Sequence, residues 1–176
     1  HEENKIRKLS NAMKAMNKEA MDIENNKGGS EVFRMYEVGR SQTALMLVRS
    51  MGIDPATGNE VYIKRDGSLT FEYDPNDKVE GGNTNPKLQG FFNSNLTWKG
   101  LNLYMNFGYE MGAKQFNQTL ATKVEGADPK KNADRRVLYD RWKKPGDKAM
   151  FRRIDDQTPV YQSTRLVQKS NFLKLS

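Results

Sequence analysis

From Gly100 onward the residues alternate in character without a break. Leu101, Leu103, Met105, Phe107, Tyr109 and Met111 fall on one parity, and Asn102, Tyr104, Asn106, Gly108 and Glu110 on the other. A period of two over this length is a strand and cannot be an amphipathic helix. The preceding run alternates as well. Leu88, Phe92, Leu96 and Trp98 share a face with Gly90 and Ser94, and Gln89, Phe91, Asn93, Asn95 and Thr97 share the other. Lys99-Gly100 between the runs predicts a tight turn, because Gly accepts the positive φ that a two-residue hairpin loop demands.

Each arm is about eleven residues, the length of a tilted transmembrane strand. The Asn-rich face suits a watery lumen. Trp98 and Tyr109, near opposite ends of the apolar face, suit the aromatic girdles of a membrane barrel. The pattern alone leaves a second possibility equally open, a hairpin of a soluble β-sandwich with one face on a private core.

Mean hydropathy is low, at -0.87. No apolar run is long enough for a spanning helix. Transmembrane barrels escape this test, because their inward residues are polar. The formal charge is +7 with Lys and Arg scattered among acids. No nucleic-acid motif accompanies it, so no nucleic-acid partner is expected. The chain has no Cys, and its single His is His1. Thiolate and His-rich metal sites, and Ser-His or Cys-His nucleophilic pairs, are therefore excluded. Asp74, Asp77 and Glu80 fail as a calcium loop, since Lys78 and Val79 stand where an acceptor and a Gly are needed. No catalytic residues, no metal and no cofactor are expected.

Weaker signals fill in the rest. Val32 to Val38 and Thr43 to Met51 read as strands around a short turn at Gly39 to Ser41. Val61 to Ile63 and Leu69 to Phe71 flank Arg65-Asp66-Gly67-Ser68, a hairpin signal. Asn171 to Ser176 reads as a strand just entered. Ser10 is placed to cap a helix from Asn11 to about Asn25, with Gly28-Gly29 beyond. Ile6, Leu9, Met13, Met16, Ala20 and Ile23 give it an apolar seam. With fewer than four heptads, a helix packed on its own protein is expected over a coiled coil. Asn132 to about Trp142 reads as a second helix in a long loop. If Lys99-Gly100 is a periplasmic turn, Gly52 to Asn85 and Gly112 to Ser170 become long outer loops. Gly39 to Ser41 is then another short periplasmic turn, and the Ser10 to Ser30 region lies outside. That alternation of short and long connections is how bacterial barrels are built.

Four stretches, in order, resemble the SusC/RagA group of TonB-dependent outer-membrane transporters. GIDPATGNEVYIKRDG (52–67) resembles its G-x-D-P-x-T-G segment and following hairpin. GNTNPKLQGFFNSNLTWKGLNLYMNFGYEMGAKQFN (82–117) resembles a barrel hairpin of that group. DRWKKPGD (140–147) resembles its R-W-x-x-P-G-D loop, and RLVQKSNFLKLS (165–176) the start of a further strand. The resemblance implies an all-β fold: an antiparallel transmembrane β-barrel segment with long extracellular loops carrying short helices. Residues 1–176 would form part of one such barrel domain. It begins without a signal sequence, plug or TonB-contacting segment, and is expected to be an internal piece of a longer chain. The implied function is import of glycans or oligosaccharides, or of peptides, across the bacterial outer membrane. Glycan is preferred on the breadth of the group. The implied partners are a SusD-like surface lipoprotein and the TonB complex. A conventional receptor for metal chelates and a soluble carbohydrate-binding sandwich are the rival readings.

The Gly112 to Ser170 loop carries aromatic faces that stack on sugar or peptide groups and planar Arg donors. Tyr139, Arg141, Trp142, Phe151, Arg152 and Tyr161 are the candidate residues for contacting ligand or lid. The competing expectation is that Trp142 pins the loop to its own barrel rim.

Overall fold

The computed structural model describes residues 2–27, 35–37, 39–128, 130–131, 134–156 and 158–175. Its described residues are mostly antiparallel strands with few helical segments, in one four-stranded and one three-stranded sheet.

The second sheet is the predicted hairpin plus one strand. Strands β5 (Leu88–Trp98) and β6 (Leu101–Phe116) pair from Leu88↔Met111 to Trp98↔Leu101. Lys99 and Gly100 both take positive φ, 45° and 85°, the conformation whose twist matches that of the flanking strands. This register lays like on like: Leu96↔Leu103 and Phe92↔Phe107 on one face, Asn93↔Asn106 and Gln89↔Glu110 on the other. Strand β7 (Val167–Leu175) joins β6 and adds Leu173 and Leu175 beside Tyr109 and Phe107. The expected strand at Asn171 thus starts four residues earlier. A bulge between Glu110 and Ala113 shifts the register, with Gly112 at φ 85° and its N–H donating to Asn171 Oδ1 at 2.8 Å. Such a bulge bends the strand and re-aims its far end. Beyond it Ala113 and Phe116 are buried, whereas Met111 is exposed.

The first sheet belongs to a compact head at the end of the hairpin away from the turn. Strand β1 (Ala44–Ile53) lies between β2 (Glu60–Ile63) and β4 (Lys78–Asn83), and β3 (Leu69–Thr70) borders β2. Ala44-Leu45-Met46-Leu47-Val48 is apolar at every position, and all are buried, as a strand covered on both faces requires. That corrects the expectation of a barrel strand over Thr43 to Met51. β1 pairs with β2 and β4, not with the hairpin sheet, so the loop alternation does not extend to this side. The Asp66-Gly67 hairpin forms as expected, with Tyr62↔Thr70 and Ile63↔Leu69 paired. The core joins Leu45 and Leu47 to Phe116, Leu120, Ala121, Val124, Phe151, Val160 and Leu166. Much of the predicted outer loop is therefore interior to the head.

Helix α1 (Glu2–Lys27) is longer than expected, and Ser10 lies inside it rather than at its cap. Ile6 and Leu9 already belong to the apolar seam, so helical periodicity begins before Ser10. Among the described residues Ile6, Leu9 and Met16 of the seam are exposed, whereas Met13, Ala20 and Ile23 are half-buried. The helix is tied by Asn17, whose amide donates to Tyr36 O at 2.6 Å and accepts from Tyr36 N at 2.8 Å. The predicted strand at 32–38 falls largely outside the described residues, and 35–37 have no regular structure. Residues 28–29 beyond the helix, and Asn132 at the start of the second predicted helix, also lie outside them. Of that second helix only a 3-10 turn, Arg135–Leu138, is found. A π-helical turn over Leu120–Glu125 has no counterpart among the sequence expectations. Among the described residues no helix is long and apolar enough to cross a membrane.

Candidate functional site

The hairpin sheet carries its apolar face uncovered. Leu88, Phe92, Leu96, Trp98, Leu101, Leu103, Leu173 and Leu175 are all exposed. The opposite face is uncovered too, with Phe91 and Tyr104 exposed among the Asn residues. Each Leu or Phe left in water forgoes about 1.5–3 kcal/mol of burial, and a patch of this size marks a contact surface. Within the face, neighbours still pack: the Phe92 and Phe107 rings stack at 4.7 Å. Tyr109 reaches across to Gly90, where a Cβ would stand 2.7 Å from its hydroxyl. Trp98 is exposed at the turn, with Lys99 Nζ 5.1 Å from its ring centre. At ~3.3 Å per residue an eleven-residue arm is about 36 Å long, and tilted by about 45° it spans about 26 Å.

In the head, two of the sequence motifs dock on each other. Residues 52–58 make a turn in which the Asp54 carboxylate accepts from Ala56 N (3.1 Å), Thr57 N (3.2 Å) and Thr57 Oγ1 (2.7 Å). The Thr57 hydroxyl and the Ala56 amide hold this carboxyl below its ordinary pKa. The turn closes with Gly58 N donating to Asp54 O at 2.8 Å. Pro55 O then accepts from both Trp142 Nε1 (2.9 Å) and Gly146 N (2.8 Å). Gly58, at φ 76°, lies under the indole, where a Cβ would meet the ring at 2.6 Å. The second motif folds on its own Asp147, which accepts from Lys143 N and Lys144 N, each at 3.1 Å. Trp142 thus pins the 140–147 loop to the 52–58 turn.

Beneath this lies a buried ionic network. Arg165 Nη2 bonds Glu60 Oε2 and Glu125 Oε1, each at 2.7 Å. Arg152 Nε bonds Glu125 Oε1 and its Nη1 bonds Asp156, each at 2.8 Å. The Glu125 and Glu60 side chains are 0% and 2% exposed, so each charge depends on its partners. Burial alone would raise the Glu60 carboxyl, but the Arg165 charge and hydrogen bond outweigh it and hold the group below its ordinary range. Burial likewise pulls Arg165 down, and Glu60 and Glu125 carry it above the ordinary arginine value. Arg141 has no carboxylate. Its guanidinium donates to the carbonyls of Val137 (2.9 Å), Arg152 (3.0 Å) and Val124, and burial lowers its pKa.

The candidate residues therefore separate. Arg141, Arg152 and Phe151 are interior, with their polar groups engaged inside the head. Tyr161 stacks on Tyr73 at 4.3 Å between ring centres. Tyr139 is exposed, with the Arg135 guanidinium 5.5 Å above its ring. Trp142 borders an open groove of about 730 Å³ with Val137, Leu138, Lys143, Arg153 and Ile154. Sequence reasoning missed Glu60, Glu125 and Arg165, because isolated charges on short segments look solvated until the fold buries them. Among the described residues no group of His, Asp and Glu is placed to hold a metal ion.

No protein-family model matches the chain, and no curated protein matches it. Solved structures do. The RagAB peptide transporter matches with a TM-score of 0.59 and 22% identity over 76% of this chain and 15% of its own. The RagAB peptide importer matches in its "open-open" state with a TM-score of 0.60 at 22% identity. In its "closed-closed" state the TM-score is 0.52 at 23% identity, with the same shares covered. The chain spans about 15% of the length of these structures. The resemblance to the SusC/RagA group drawn from the sequence is borne out by this likeness of fold.

Proposed function

We propose that the chain is a stretch of barrel wall and outer loops from a TonB-dependent outer-membrane importer of the SusC/RagA type. The observation that carries this reading is the three-stranded sheet with one continuous apolar face and one polar face. Neither is covered by a second layer among the described residues. A soluble sandwich would cover the apolar side with its own second sheet. A membrane barrel turns that side to lipid and the Asn-rich side to the lumen, with Trp98 and Tyr109 at the two interfaces. The head then stands outside the cell, since it lies at the end opposite the two-residue turn, where barrels place their long loops.

The role is transport, not catalysis. The cargo is an oligosaccharide or a peptide, imported with a SusD-like surface lipoprotein and energy from the TonB complex. The peptide named for the structurally similar importers supports peptide over glycan. Tyr139 and Trp142 are the loop aromatics nearest a surface that a lid or cargo reaches.

The test uses the full-length protein in its native membrane. Cysteines are placed singly at Lys144 and Lys99. A membrane-impermeant maleimide is expected to label the first on intact cells and the second only after permeabilisation. The protein should fractionate with the outer membrane and need detergent for extraction, a surface lipoprotein should co-purify, and uptake should stop without TonB. Recovery of a folded, detergent-free soluble protein would overturn the reading.

A further inference from the structure

Positive charge concentrates in one part of the chain. Residues 128–153 hold ten Lys and Arg against four Asp, nearly the whole net +7 of the chain. Asp155 and Asp156, just beyond, are paired with Arg153 and Arg152. In the fold the Val137 to Lys143 part of this stretch, with Arg153, borders the groove beside Trp142. Part of its lining is aliphatic, from Val137, Leu138 and Ile154, with Leu138 and Ile154 exposed, and Arg153 and its partner Asp155 line it as well. Lys143 stands on its wall, with Lys144 next in the chain and Lys148 on the same loop, all exposed and none in an ion pair with a described carboxylate. Of the four Asp in the stretch, Asp128 pairs with Lys131, Asp134 with Arg136 and Asp147 with the Lys143 and Lys144 amides, while Asp140 is exposed.

We infer that this groove is a docking site for an acidic peptide carrying aliphatic side chains, the cargo class of the importer proposed above. The inference rests on that reading for the word cargo, but its chemistry is independent of it. The exposed Lys143 side chain and the net positive charge of the stretch, beside an aliphatic floor, complement carboxylates flanking a Leu or Val. A sugar would need an open aromatic face. Here one face of the Trp142 indole lies over Gly58, and the Tyr139 ring lies under Arg135.

The experiment is a binding titration on the full-length protein in detergent, read by fluorescence anisotropy. The probes are a labelled peptide of Leu and Val between Asp and Glu, its counterpart with Lys in place of the acids, and a labelled oligogalacturonate. The acidic peptide is expected to bind at least about tenfold tighter than both others and to weaken with added salt. Lys143→Glu with Lys144→Glu should weaken it about tenfold. Ile154→Asp should weaken it further, while the tryptophan fluorescence of the folded head stays unchanged. Equal binding of the three probes, or of the acidic peptide to wild type and charge-reversed protein, overturns the inference. So does a charge-reversed protein that keeps peptide affinity but loses a co-purifying lipoprotein, which would make the groove a protein-docking face. Labelling and fractionation test the importer reading separately, so each can fail alone.

Discussion

The hairpin sheet and the head solve opposite problems with similar residues. The head buries Leu45, Leu47 and Leu166 against its own loops, and it buries Glu60, Glu125, Arg152 and Arg165 in one ion-paired network. The sheet exposes Leu96, Leu101 and Leu103 and satisfies its backbone through cross-strand pairs. One region is a core with its own inside. The other is a layer that has sides but no inside among the described residues, and on the reading proposed above lipid and lumen take that place. Hydrophobicity alone does not separate them. What separates them is whether the apolar positions follow a period of two or run continuously, as Ala44 to Val48 do.

The sharpest way to break the comparison is to unbalance the head. Arg165→Met leaves Glu60 and Glu125 buried without their shared cation. Removing one partner of such a cluster costs about 3–5 kcal/mol, read as a fall in the denaturation midpoint of the head. In the sheet, adjacent residues should differ in tolerance. On the membrane reading proposed above, Phe92→Arg, on the apolar face, should cost about 2–4 kcal/mol, while Asn93→Arg, on the polar face, should cost little. Folding yield into bilayers measures both, and equal effects would mean that the faces are misassigned. Trp142→Ala should cost about 2 kcal/mol through lost packing and the lost bond to Pro55 O. It should speed hydrogen exchange at Gly58 and Gly146 and leave the hairpin amides protected. Gly100→Ala should cost about 1 kcal/mol, because φ there is 85°, and should act on the hairpin alone.

Acid separates the regions as well. The folded Glu60 carboxyl lies below its ordinary range, so its contribution is fully present at neutral pH. It is lost as pH falls through that depressed value. The head should therefore weaken in acid through this buried carboxylate, a group with no buried counterpart among the described residues of the hairpin sheet. With Arg165→Met the sign should reverse, since a buried unpaired glutamate gains stability on protonation. A melting series from pH 7 downward distinguishes the two slopes.

The sheet is legible in the sequence because alternation over two arms and a Lys-Gly turn leave one register in which like faces like, from Trp98↔Leu101 to Leu88↔Met111. The Asp66-Gly67 hairpin is legible for the same reason. The head is not, because its partners lie far apart: the turn at 52–58 and the loop at 140–147 are tied through Pro55 and Trp142. Each motif stands out by itself, but nothing in either names the other. The helix start misleads because Ser10 has the chemistry of a cap, while the seam it interrupts already runs from Ile6.

The tie between Arg165 and Glu60 spans 105 residues and encloses the entire hairpin. Contacts of such separation close late in folding, since the intervening chain must first be gathered in. The Lys99-Gly100 hairpin is local and forms within microseconds in comparison. That separation predicts an order of events: the wall zips first, and the clasp between Glu60 and Arg165 closes afterwards. A clasp that closes after the rate-limiting step governs how long a fold stays shut rather than how fast it forms. Arg165→Met is then expected to speed the opening of the head more than it slows its closing.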